Sequence, residues 1–112
     1  MGVVYISMSW EIQTLRIQEK TMVIKVVLKG LIEPKQLPEL VKSILQLVDP
    51  HDVDVVVISG RLPVWAFSTI SVALSTTLHR VKVAVADPKL AGAVVVTPPA
   101  EGEVIPLPPE AF

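Results

Sequence analysis

Apolar and polar positions along this chain follow two rhythms. Short β-branched runs at residues 3–6, 12–17 and 21–28 predict three strands, the third carrying Lys25 as its one internal charge and ending before Gly30. Between 34 and 48 the spacing changes. Leu37, Leu40, Val41, Ile44, Leu45 and Val48 recur at helical intervals and draw one apolar stripe. Pro38 fits the first turn of that helix, and Asp49-Pro50 stops it. Residues 53–58 then form an apolar run with almost no polar face, as in a central parallel strand covered on both sides. Ser59 and Gly60 break the run, Arg61 follows, and Pro63 suits the opening of a second helix that reaches about Leu78. Residues 81–86 alternate Val81, Val83 and Val85 against Lys82, Ala84 and Ala86, again a strand. After the turn Asp87-Pro88-Lys89, residues 93–97 return antiparallel, and 103–107 add a short edge. The proline-rich end, 108–112, is expected to be loose.

The order β-β-β-α-β-α-β-β predicts an α/β, Rossmann-like fold. It has a mixed sheet with a parallel core and antiparallel additions, right-handed crossovers and helices on its faces. A ferredoxin-like α+β arrangement is the alternative. With 112 residues the chain makes one domain, 1–112, in which 1–11 supply an extra N-terminal strand. The second helix is almost uncharged: its polar side is only Ser68, Ser71, Ser75 and Thr76. Such a surface predicts a cover, and a second copy of the chain is the simplest one.

Composition narrows the chemistry. A net charge of −1 advertises no broad nucleic-acid or membrane surface, so an anionic ligand must meet a local cluster of cations. The absence of cysteine removes disulfides, thiolate metal sites and a cysteine nucleophile. No apolar run approaches membrane-spanning length and no signal peptide is evident, so the expectation is a cytoplasmic protein with neither membrane nor DNA among its partners.

The candidate site begins where the central strand ends. Ser59-Gly60-Arg61 falls at the carboxyl edge of a parallel strand, where open α/β sheets take ligands. The following helix start offers N–H groups to an anion, and Arg61 adds a forked cation. The plainer alternative is a strand-to-helix turn with a solvated arginine. Asp87-Pro88-Lys89 belongs to the same edge. His79, placed between a returning helix and its strand, belongs to the opposite edge, and six strand residues separate the edges by roughly 20 Å. Histidine suits proton transfer near neutral pH. Its alternative is a solvated loop residue, and that of Asp87 is a turn or cap. His51, Asp52 and Asp54 suggest either a metal cluster or a polar strand entry. No phosphate-binding glycine loop, nucleophile elbow or close carboxylate pair is present.

Several of these residues also form an ordered set: Ile58-Ser59-Gly60-Arg61, Pro63, Trp65, His79, Val83-Ala84-Val85, Asp87-Pro88-Lys89-Leu90, Gly92-Ala93-Val94-Val95-Val96 and Gly102-Glu103-Val104-Ile105. Over roughly residues 12–106 this resembles the small accessory proteins of type III CRISPR systems called Csx-three, the third ring-nuclease family. The resemblance implies a CRISPR-associated Rossmann fold, usually dimeric, with dimers stacking head to tail on a ligand. It implies binding of cyclic tetra-adenylate, or a short RNA of similar shape, and a manganese-dependent cleavage that ends an antiviral signal. By the same resemblance His79 and Asp87 are the residues tied to cleavage. Ser59, Gly60, Arg61 and Lys89 contact the ligand, with Lys89 standing where relatives usually carry arginine. Pro98 and Pro99 occupy the place where relatives tend to have a histidine, which removes one candidate metal ligand, and Phe67 stands where another histidine can occur.

Overall fold

The apolar, β-branched stretches at residues 21–28, 55–59 and 82–87 become three adjacent parallel strands. The computed structural model describes residues 2–112. Among them the order is β1 (Gly2–Ile6), β2 (Trp10–Ile17), β3 (Thr21–Leu28), α1 (Leu37–Leu45), β4 (Val55–Ser59), α2 (Val64–Thr77), β5 (Lys82–Asp87), β6 (Gly92–Val95) and β7 (Val104–Pro106). All seven strands form one sheet in sequence order. Strands β3, β4 and β5 run parallel, with Val23 beside Val57 and Val57 beside Ala84. The wings β1–β2–β3 and β5–β6–β7 are antiparallel. This sequential order is the mixed Rossmann-like sheet, and it excludes the interleaved ferredoxin-like arrangement.

Three expectations need correction. The helices do not lie on both faces. Leu40 and Ile44 of α1 share a single core with Ile70 and Leu74 of α2, against Ile24, Val26, Val56, Ile58 and Val83 of the sheet. The strand order explains this. From β3 to β4 to β5 the chain advances in one direction, and two right-handed crossovers in the same direction land on the same side. The long helix expected over 34–48 is also divided. A 3-10 turn at Pro34–Gln36 precedes α1, and Gln36 accepts the Glu33 N–H at 2.8 Å. Past Leu45, the N–H groups of Leu47 and Val48 turn back to the carbonyls of Ile44 and Leu45, tightening the last turn ahead of Asp49-Pro50.

The other face of the sheet is closed by the C-terminal tail, which is packed instead of loose. Val23, Val57, Ala84, Ala93 and Val95 meet Leu107, Ala111 and Phe112 there. Residues Pro109–Ala111 form a 3-10 turn. The Leu107 N–H donates to the Ala91 carbonyl at 3.1 Å, and the Ser59 hydroxyl donates to the Ala111 carbonyl at 2.6 Å. The prolines at 106, 108 and 109 stiffen a strap whose apolar residues return to the core. Among the described residues no helix is long and apolar enough to cross a membrane.

Candidate functional site

The carboxyl edge of the parallel strands carries the first of two clefts. β4 ends at Ser59, which is buried, and Gly60 follows with φ of +127°. Only glycine is comfortable there, for two reasons. The backbone conformation is one that side chains disfavour, and a Cβ would run into the carbonyl oxygen of Val26. The turn therefore lies directly on β3. This close approach opens a cleft of about 540 Å³ whose lining includes Lys25, Ser59, Gly60, Arg61, Ala86, Pro88 and Phe112.

Lys25 is the residue that reading the sequence missed. β3 alternates Ile24 and Val26 toward the helix layer, so Lys25 projects to the opposite face. Its neighbours across the sheet are Gln13 and Ser59. A single charge inside an otherwise apolar strand was the available signal. Its meaning depended on register, because only the pairing with Ser59 brings it beside Arg61. The cleft thus has two cations, and no Asp or Glu side chain belongs to its lining.

Other expected members fall at or beyond the border. The lining does not extend to residues 63–65, so the start of α2, expected to offer N–H groups to an anion, is not a wall of this cleft. The Ser59 hydroxyl is held by the tail. Ala86 and Pro88 line the cleft, whereas Asp87 accepts the Lys89 N–H at 2.9 Å and caps its own 3-10 turn, Pro88–Leu90. Lys89 is exposed within that turn.

His79 lies elsewhere. It is exposed after α2, at the opening of β5, and it lines a second, larger groove of about 700 Å³ at the opposite edge. Arg80 and Lys82 share this groove with Ser68, Ser71 and Ser75 of α2 and with the Thr97–Pro99 turn. Glu103 stands 3.6 Å from the Lys82 ammonium. One copy of the chain therefore does not bring His79 and Asp87 together: the length of β5 keeps them at opposite ends.

The residues of one copy do not fit a manganese ion. Among the described residues no three His, Asp or Glu side chains converge. Asp52, one of the acids expected near His51 and Asp54, is engaged by Arg16 at 2.7 Å, so the polar strand-entry alternative describes this cluster better.

The family model described as CRISPR-associated protein (Cas_csx3) matches residues 25–105. The match opens at Lys25 and takes in Ser59, Gly60, Arg61, His79, Asp87 and Lys89, in agreement with the resemblance drawn from motif order. It leaves out β1, β2 and the packed tail. No curated protein matches the chain.

Proposed function

The chain belongs to the CRISPR-associated Cas_csx3 family, and from that premise we propose that it binds cyclic tetra-adenylate, or a short RNA of like shape, and cuts it. The observation that carries this reading is the pair of cations, Lys25 and Arg61, in the lining of a cleft built on a glycine turn with no Asp or Glu side chain among its walls. A phosphodiester ligand matches such a site. Arg61 grips a phosphate through its fork and Lys25 acts as a point charge on the next.

The chemistry then needs a second copy. Two-fold symmetry suits a ring of four equal nucleotides, because each half meets identical groups. Homodimers stack head to tail with the ring between them. The carboxyl-edge cleft of one dimer and the amino-edge groove of the next are both basic, so they repel until a polyanion lies between them. His79 of one dimer takes the proton from a ribose 2′-hydroxyl. That oxygen attacks the adjacent phosphorus, the bond to the 5′-oxygen breaks, and the leaving 5′-oxygen takes a proton from water, to which His79 later gives up the proton it removed. The products carry a 2′,3′-cyclic phosphate and a free 5′-hydroxyl. Asp87 of the facing dimer orients the imidazole, and Lys25 and Arg61 hold the phosphates.

Mixing a His79→Ala protein with an Asp87→Ala protein tests the shared site. Each variant alone is inactive on labelled ring, and the mixture regains a fraction of wild-type cleavage. A mixture as inactive as its parts refutes it. One observation favours a second reading, a sensor that binds the ring without cutting: the Asp87 carboxylate already caps its own turn. Ring that stays intact with wild-type protein, with and without added manganese, while a Tm shift reports binding, selects the sensor.

A further inference from the structure

The two cations account for phosphates but not for the apolar part of the carboxyl-edge cleft. Phe112 lines this cleft together with Lys25 and Arg61, as do Ala86 and Pro88. Phosphate alone has no use for an aromatic wall, whereas a nucleobase does, because every base presents a π face. Phe112 is also fixed in advance. Its own N–H donates to the Pro109 carbonyl at 3.2 Å, the preceding Ala111 is fully buried, and the Ala111 carbonyl accepts the Ser59 hydroxyl at 2.6 Å. Its side chain packs on the sheet core, and the half-buried residue borders the cleft. A ligand that stacks on it therefore has little side-chain freedom left to remove.

We propose that Phe112 is the base platform of this cleft: a purine of the bound oligonucleotide stacks on its ring while Lys25 and Arg61 meet the phosphates on either side. This rests on the reading of the cleft as an oligonucleotide site and adds to it the residue that recognises the base. Phe112 lies outside the family match, which ends at residue 105, so the platform is supplied by the tail of this chain. The same tail that covers the second core thus has a second task at its tip.

The test uses the full chain and two probes, cyclic tetra-adenylate and its uridine counterpart, with three variants. Phe112→Ala removes the platform. Phe112→Leu keeps an apolar side chain and the Ser59–Ala111 tie but has no π face. Phe112→Trp keeps the platform and makes it fluorescent, with wild type as the blank for Trp10 and Trp65. The expected result is that Ala and Leu each lose about tenfold or more in affinity for the adenine ring, and less for the uracil ring, whose bases stack more weakly. Trp retains affinity, and its added emission is quenched on binding. Adenine-ring affinity unchanged in both Ala and Leu overturns the platform while leaving the oligonucleotide reading intact. Tighter binding by Ala also overturns it, showing Phe112 to be an obstruction. Failure of the wild type to bind either ring removes the oligonucleotide reading, and the platform with it.

Discussion

The two basic clefts of this small fold are built in opposite ways. At the carboxyl edge the walls are fixed. Gly60 is pressed onto Val26, Ser59 is buried and tied to the tail, and Lys25 rises from the middle of a strand. At the amino edge the groove is open. His79 and Arg80 stand exposed after the end of α2, and Lys82 shares its charge with Glu103. A rigid site selects a ligand and holds it still, while an exposed histidine brings a proton acceptor that becomes useful once something presses against it. Under the proposed function this contrast becomes a division of labour, in which the carboxyl edge binds and the amino edge of another copy reacts.

The largest effect should separate these two roles. His79→Ala is expected to lower the single-turnover rate on cyclic tetra-adenylate by about 10²- to 10⁴-fold, the usual contribution of a general base, with ring affinity within about twofold of wild type. Arg61→Ala should do the reverse, with affinity falling by about tenfold or more as a charge-assisted phosphate contact is lost. Binding isotherms and single-turnover rates on both variants check this. Equal losses of affinity in the two would erase the division.

Next in size is the fixed wall itself. Gly60→Ala places a methyl group against the Val26 carbonyl in a conformation disfavoured for side chains. The expected loss is about 3 kcal/mol or more of folding stability in urea unfolding. Gly102→Ala is the matched control. Its φ is also positive, at +92°, but nothing lies within 4 Å of the new Cβ. Backbone strain alone should then cost about 1–2 kcal/mol. Similar losses in the two variants would mean that the turn does not lie hard on β3, and the rigid half of the contrast would fail.

Much of this arrangement was legible in residue order, and the parts that were not share a cause. The unbroken run Val55 to Ile58 announced a buried central strand, and Ser59-Gly60-Arg61 announced its exit turn, because both signals are local. The separation of His79 from Asp87 also followed, since β-strand length and βαβ direction suffice to place them. Lys25 did not follow, because its part in the cleft comes from pairing with Ser59 across two strands. The single-sided helix layer did not follow either, for it depends on sheet order and not on any one element. The tail misled for a different reason. Prolines at 106, 108 and 109 suggest looseness, yet proline also fits a stiff strap, and Leu107 and Ala111 recur at an interval that returns them to one surface. Looseness is set by what the apolar residues meet, and that was a tertiary fact.

The smallest expected effect probes the open half. The Lys82–Glu103 pair is about half exposed on both sides, at 46% and 54%, so it adds at most about 0.5 kcal/mol to stability. Glu103→Gln should leave unfolding unchanged. Its influence on the ligand is a separate matter, because Lys82 lines the groove and Glu103 offsets its charge. Removing that carboxylate should raise ring affinity by about two- to threefold at low ionic strength, and the gain should fade as salt shortens the screening length toward 3 Å near 1 M. A gain that persists in high salt would point to a changed shape instead of a changed field. A fall in affinity would be more instructive still. It would mean that Glu103 holds Lys82 in position for a phosphate, so that the amino edge, like the carboxyl edge, is organised before the ligand arrives.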